Sequence, residues 1–432
     1  MPVVSVSPPE GEKQIGMRVF LTPRKGIGGK IKVHPSDFIV EERITPPPER
    51  DGAFVIAKVT SINWETFNLL LQLSKKMGIS SHMIGIAGTK DKRAITKQVM
   101  SFKTSLDTVK NAYIKDVEIT DCYTSNRPIS WGDHIGNTFK ITIRNTRNNI
   151  KKQFTIILDK ILETGGFPNF FGVQRFGVIR PITHIVGKYI IEGNFKKAIL
   201  TYICNPLPGE GEESYRARTF LQQTKDFKKA LEIYPSYLLF ERLMISHLAR
   251  NPDDWIGALL TLPPHLVQMF IHSYQSYLFN LILSRRIKED LPLNRALVGD
   301  VVLPVRNRRI MADREGIPVT DENLEKVNRQ IQEEEAFVSG ILPGFETHFG
   351  GGKMGQIEKK IIDDHVSLTK FVIPDIPRLT SRGFRRILLA PLTNFDYTIY
   401  QNYVTMEFDL SKGCYATCLL REFMKAEPTH YQ

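Results

Sequence analysis

The chain has 432 residues, 42% of them apolar and 10% aromatic, enough for two or three domains with substantial cores, which excludes wholesale disorder. Lys and Arg number 58 against 46 acidic residues, a net charge of +12. That bias favours a polyanionic partner, because protein cations displace counterions from phosphates.

Residues 31–60 alternate in strand fashion, with Phe54, Ile56 and Val59 among polar and small neighbours. From Asn63 to Lys76, the spacing of Trp64, Phe67, Leu70, Leu71 and Ser74 predicts a helix that Gly78 stops. A short apolar run, Met83 to Ala87, reads as a buried strand, and Gln98 to Phe102 as another. Between them stands Gly88-Thr89-Lys90-Asp91-Lys92-Arg93-Ala94, so Asp91 sits in a loop at a strand end, where catalytic groups tend to lie. Lys90, Lys92 and Arg93 favour the charged form of Asp91. An ionised carboxylate there can attack an electron-poor carbon, and the same cations attract a polyanion. The plainer alternative is a solvated turn whose charges pair with one another.

Phe139 to Arg144 alternates as a half-buried strand, and residues 185–290 turn mostly helical. Tyr274, Tyr277, Leu278 and Leu281 follow the helical period as core. The Pro- and Arg-rich stretch Leu291 to Arg309 follows, then an acidic amphipathic helix marked by Leu324, Val327 and Ile331. Strand alternation returns at Val404 to Leu410, and Cys414 and Cys418 fall in an apparent strand, sharing one face. Sheet, helical block and sheet together suggest a domain inserted into a discontinuous one. Gly350-Gly351-Gly352-Lys353 is no P-loop, since Thr347 and Met354 occupy positions that need Gly and Ser or Thr. Gly26-Ile27-Gly28-Gly29 lacks the third Gly of a dinucleotide fingerprint and reads as a turn, and no Gly-x-Ser-x-Gly elbow occurs.

The four cysteines, Cys122, Cys204, Cys414 and Cys418, form no Cys-x-x-Cys pair and have no His at zinc-finger spacing, so no metal site is expected. The start, Met1-Pro2-Val3-Val4-Ser5, has no signal-peptide pattern, and no apolar run approaches the ~18 residues of a membrane helix. A reduced, cytoplasmic protein is expected.

Six blocks, in order, carry a family resemblance. They are Lys32-Val33-His34-Pro35-Ser36-Asp37-Phe38-Ile39-Val40-Glu41-Glu42, the Asp91 segment through Thr96, Gly136-Asn137-Thr138-Phe139, Asn169-Phe170-Phe171-Gly172-Val173-Gln174-Arg175-Phe176-Gly177, Gln275-Ser276-Tyr277-Leu278-Phe279-Asn280, and Lys412-Gly413-Cys414-Tyr415-Ala416-Thr417 through Glu422. The chain thereby resembles the TruD family of pseudouridine synthases, in its archaeal form. The resemblance implies an α+β fold: a catalytic domain on a mixed, mostly antiparallel sheet, formed by residues 1–170 and 388–432, with a largely helical α/β domain inserted at 171–387.

By the same resemblance Asp91 is the nucleophile, and Lys32, Phe38, Asn137, Phe139 and Tyr415 contact the substrate. Lys32 would pair with Asp91 or hold a phosphate; Tyr415 stands where bacterial members carry Phe. The expected reaction isomerises uridine 13 of tRNA, with the base extruded. Isomerisation conserves every atom, so no cofactor or metal is expected. The alternatives are a synthase with other or broader RNA targets, or a non-catalytic RNA-binding or chaperone protein. A monomer needing no protein partner and no membrane is expected. Read without the family, Phe38 and Phe139 are ordinary strand core, Asn137 marks a turn after Gly136, and Gln174, Arg175 and Phe176 cap a domain junction. Arg306, Arg308, Arg309, Arg382, Arg385 and Arg386 are solvated faces or phosphate contacts.

Overall fold

Apolar–polar alternation in the first 146 residues resolves into seven strands: β1 (Gly28–Lys30), β2 (Phe38–Arg43), β3 (Phe54–Ile62), β4 (Ile84–Ile86), β5 (Ile95–Phe102), β6 (Val117–Ser125) and β7 (Gly136–Thr146). The computed structural model describes residues 6–306, 309–310 and 316–431. After β8 (Gly166–Pro168) the chain is helical until β9 (Val301–Arg306), β10 (Arg309–Ile310), β11 (Ile317–Pro318), β12 (Ala336–Leu342) and β13 (Phe384–Ile387). It closes through β14 (Leu389–Pro391), β15 (Thr393–Ile399) and β16 (Tyr403–Ser411).

The main sheet runs β15-β16-β7-β2-β5-β3-β6, with β1 added to β7 and β4 to β5. Every pairing in it is antiparallel except β2 with β5, where Ile39, Val40 and Glu41 lie opposite Ile95, Thr96 and Lys97. The sheet is therefore mixed and mostly antiparallel. Paired residues share a face, so the register carries one face from Val59 through Gln98, Thr96, Val40 and Phe139 to Phe408.

Two groups of helices cover that face. Helix Thr66–Met77 lays Leu69, Leu70, Leu73 and Met77 on Val55, Ala57, Val59, Met100 and Phe102. Glu65 caps it, accepting from Phe67 and Asn68 N–H at 3.1 and 2.9 Å, and Gly78 ends it at φ 66°. The expected helix is present, but Phe67 and Leu71 point to solvent. Apolar residues occupy two adjacent stripes, and only the position of the sheet selects Leu69 and Leu73. At the other end, Phe154 of helix Lys151–Thr164 stacks on Phe423 of helix Ala416–Met424 at 4.6 Å, and Phe423 stacks on Phe395 of β15.

Helix Ala416–Met424 corrects the reading of Cys414 and Cys418 as strand residues. Cys414 lies in the turn before it, and Cys418 is buried inside it with Sγ–H on the Phe170 carbonyl. The run is short, and the spacing of its two cysteines alone suggests a strand, although Thr417, Arg421 and Glu422 interrupt its apolar residues at helical spacing.

The chain leaves through β8 and returns through β14, and these two strands pair antiparallel. Asn169 seals the junction: its N–H donates to Leu388 O at 2.9 Å and its Nδ2 to Ile387 O at 3.0 Å. Between these points lie most of the helices and a second sheet, β10-β9-β12-β13 with β11 on β9. β9 occupies part of the expected Pro- and Arg-rich connection. The longest helix, Pro264–Lys288, buries Tyr274, Leu278 and Leu281 as expected, together with Gln275, Ser276 and Asn280. Asn280 ties it to the N-terminal segment and to the stretch after β8: Nδ2 donates to Ile15 O and Oδ1 accepts from Phe171 N–H. A single apolar cluster then runs from Ile141, Phe154 and Phe408 through Phe171 to Phe279 and Val338. Among the described residues, no helix is long and apolar enough to cross a membrane.

Candidate functional site

The loop from Ala87 to Ala94 joins β4 to β5 and spans from the start of helix Thr66–Met77 to Glu42 on β2, a central strand of the main sheet. Its anchor is Lys90. The backbone N–H donates to Thr66 Oγ1 at 2.9 Å, and Nζ donates to Glu42 Oε1 at 2.6 Å in a nearly sealed ion pair. Glu42 Oε2 accepts from Val99 N–H at 3.3 Å. Arg93 donates to Val33 O at 3.0 Å, tying the loop to the segment before β2.

Of the two roles expected for Lys32, the structure shows the pairing with Asp91, rather than pairing by the residues that flank Asp91 in sequence. Lys90 serves Glu42 and Arg93 serves a carbonyl, so two of the three flanking cations are committed elsewhere. The partner is Lys32, whose Nζ donates to Asp91 Oδ1 at 2.6 Å. The Lys32 side chain is 8% exposed and that of Asp91 is 41% exposed, so a buried ammonium positions a carboxylate at the surface of the cleft. Lys32 takes φ 55°, in the left-handed region, and its Nζ lies 4.3 Å from the centroid of the Phe38 ring. The next turn is pinned by Asp37, which is buried and accepts two bonds from Arg144 Nε at 2.8 and 2.9 Å and one from His34 N–H at 2.9 Å. The Asp37 carboxylate holds the Arg144 guanidinium pKa above its ordinary value.

The sheet register brings Phe38, Asn137 and Phe139 onto the face beneath this loop. Val40 lies opposite Phe139 and Glu42 opposite Asn137. Phe38 and Phe139 meet edge to face at 6.0 Å, and Phe139 stacks on Phe408 at 5.5 Å. Both rings are buried, at 2% and 7% exposure, as strand alternation alone predicted. Asn137 Oδ1 is buried without a hydrogen-bond partner, and so is Nε2 of Gln98, one residue beyond the Glu41–Lys97 pair on β5. A free acceptor and a free donor therefore flank the Glu42–Lys90 pair. Buried polar atoms left unpaired are costly, and they mark places where a ligand completes the bonding. Gln98 was missed in the sequence because one Gln in a strand carries no signal there.

Tyr415 caps helix Ala416–Met424, and its ring meets that of Phe171 edge to face at 6.0 Å. Backbone links join this turn to the Asp91 loop. Lys412 N–H donates to Ile135 O at 2.9 Å, Lys412 Nζ to Gly132 O at 3.0 Å, and Gly132 N–H to Ala87 O at 2.9 Å. His134 sits against Ala87 O, and burial, aided by the Lys90 charge, pushes its pKa down.

The expected arginine cluster separates. Arg385 is buried in an ion pair with Glu358 at 2.7 Å, Arg382 faces Glu346 from an exposed position, and Arg386 turns the other way onto the Phe171 ring at 4.1 Å. Neighbours on a strand point to opposite sides, so Arg385 and Arg386 take different partners although both border one cavity. Arg306 is exposed; Arg308 and the Arg309 side chain lie outside the described residues. Arg175, read as capping a junction, has its guanidinium 5.4 Å from the Phe171 ring centroid. No three His, Cys, Asp or Glu side chains among the described residues are grouped to hold a metal.

The family model for tRNA pseudouridine synthase D (TruD) matches residues 14–423. A protein from Methanosarcina mazei named as a tRNA pseudouridine synthase D is 41% identical over 432 residues, covering 97% of this chain and 98% of its own. One of the same name from Pyrococcus furiosus is 39% identical over 414 residues, covering 95% and 99%. A crystal structure of the Methanosarcina mazei TruD superposes with a TM-score of 0.86 at 40% identity, over 98% of this chain and 100% of that one. A match of this extent in both sequence and fold means that the chain belongs to the TruD family of tRNA pseudouridine synthases.

Proposed function

We propose that the protein converts uridine to pseudouridine in tRNA, at position 13, with Asp91 as the nucleophile acting on an extruded uridine. In this reaction the C1′–N1 bond breaks, the base turns, and C1′ bonds to C5; the C5 proton is lost and N1 gains one. The observation that carries the reading is the Lys32–Asp91 pair, a half-exposed carboxylate held by a buried ammonium above an aromatic-lined sheet face. Extruding a base costs a few kcal/mol of stacking and pairing, so the site must supply a surface and edge contacts in return. Phe139 and Phe38 form the floor and Tyr415 stands at the side. The Asn137 Oδ1 acceptor suits the uracil N3–H, and the Gln98 Nε2 donor suits a uracil carbonyl. Residues 1–170 and 388–432 act as the catalytic unit, and 171–387 as the inserted domain; the β8–β14 pairing at the point of departure and return supports this division.

The test is Asp91→Asn, which keeps the size of the side chain and removes its charge. Pseudouridine formation on a tRNA transcript should vanish while tRNA binding persists, since phosphate contacts elsewhere supply most of the affinity. A residual rate above about 1% of wild type, a barrier increase of less than ~3 kcal/mol, removes Asp91 from the nucleophile role. A wild-type protein that makes no pseudouridine in tRNA overturns the function itself.

A further inference from the structure

A cavity of about 240 Å³ opens between the long helix, the second sheet and the turn that leads into Tyr415. Arg175, Arg385, Arg386, Lys412 and His272 line it, and no Asp or Glu does. Arg385 has its own counter-charge in Glu358. Arg386 has none at hand: it donates to Asn169 O at 3.3 Å, Asn169 Oδ1 at 2.6 Å and Gly413 O at 2.9 Å, all uncharged oxygens. Burial and the nearby Arg175 lower its pKa, yet a guanidinium remains charged at neutral pH. Two buried polar atoms of the lining residues have no partner, Arg175 Nε and Gln275 Oε1. The Gln275 amide nitrogen is already committed, to Pro343 O at 2.6 Å and Ser381 Oγ at 2.8 Å. The cavity thus offers uncompensated cationic donors and one acceptor, which suits a ligand carrying both an anion and a hydroxyl or N–H donor.

We propose that this cavity binds a nucleotide flanking the target uridine, with its phosphodiester against Arg175, Arg386 and Lys412 and a donor of the same nucleotide on Gln275 Oε1. The proposal rests on the RNA substrate inferred above. Continuity supports substrate RNA over a free anion. Lys412 and Gly413 wall the cavity, Tyr415 follows two residues on, and the Lys412–Gly132–Ala87 hydrogen bonds run from that wall to the start of the Asp91 loop.

The experiment measures tRNA binding by fluorescence anisotropy across a KCl series. Asp91→Asn protein, which holds RNA without turnover, is compared with the same protein carrying Arg175→Gln, Lys412→Gln or Phe384→Glu. Phe384 is an exposed lining residue, so its substitution places an acid at the cavity without disturbing the core. All three should weaken binding several-fold at fixed salt with melting temperatures retained. Arg175→Gln and Lys412→Gln should each also reduce the log–log salt slope by about 0.7–0.9, the loss of one phosphate contact. In the Asp91 background, each should raise KM for tRNA. Folded variants with unchanged affinity and slope overturn the proposal. Calorimetry with inorganic phosphate identifies the other source: phosphate binding lost in Arg175→Gln, with tRNA binding unaltered, makes this a free-anion site and also overturns it. If Arg175→Gln fails to fold, Lys412→Gln and Phe384→Glu carry the test. Failure of the functional reading looks different: wild type then makes no pseudouridine, whatever the variants do to binding.

Discussion

Three lysines and arginines flank or adjoin Asp91 in sequence, yet a fourth cation, 59 positions away, is its partner. Depth decides this. Lys90 points beneath the loop to sealed Glu42, whereas Lys32 emerges beside the exposed carboxylate. The same distinction separates the two aromatic candidates. Phe139 is nearly sealed between Phe38 and Phe408, so Phe139→Ala should cost about 3–5 kcal/mol of stability. Half-buried Tyr415 should lose little stability as Ala but ~1–3 kcal/mol of stacking, read as slower turnover, with Tyr415→Phe mild. Urea melts beside single-turnover assays separate the two, and a normal melt for Phe139→Ala would contradict its packing role. His184 provides a pH test. Packed against Phe176 and Tyr277, its pKa is pushed down by burial to about 4. The unfolded imidazole protonates near 6.5, so this contribution is complete above pH 6.5 and is lost as pH falls toward 4. Wild type should lose roughly 1.5 kcal/mol between pH 6.5 and 5 that His184→Phe does not. Equal pH dependence of the urea midpoints in both proteins would reject the assignment.

Among the elements, helices were legible where a periodic run meets a stop. Gly78 supplies it for Thr66–Met77, whereas the Glu65 cap is visible only in the structure. The buried stripe of that helix was not legible, because packing against β3 and β5 chooses between two apolar stripes. Helix Ala416–Met424 was missed although Thr417, Arg421 and Glu422 fall at helical spacing; all nine of its residues are buried, and its charged side is sealed by the Arg421 pairs with Glu12 and Glu422. Two glycines make the contrast testable. At Gly78 an added Cβ meets nothing within 4 Å, so Gly78→Ala should cost about 1 kcal/mol for the left-handed backbone alone. At Gly187, where helix Thr183–Ile191 crosses the long helix, a Cβ would lie 2.0 Å from Phe270 O. Gly187→Ala must push two buried helices apart and should cost ~3 kcal/mol or more. Urea unfolding of both variants checks this, and similar losses would mean that the crossing is not tight.

For the whole molecule, the apolar cluster that runs from the main sheet through Phe171 into the long helix predicts cooperative behaviour. Calorimetry should show one unfolding transition with a calorimetric to van't Hoff enthalpy ratio of ~1. Two resolved transitions would mean that the inserted segment unfolds independently. By itself, the sequence determined the sheet–helix–sheet order, six strands of the main sheet (β2, β3, β4, β5, β7 and β16), and a loop displaying Asp91 between two of them, because alternation and glycine stops are local properties of the chain. Tertiary structure decided which of its two expected roles Lys32 takes, that Gln98 and Asn137 present free polar atoms on one face, and that Arg175, Arg386 and Lys412 line one cavity. These groups come from segments as much as two hundred residues apart or more, and their meeting depends on strand register and helix packing, which no local pattern encodes.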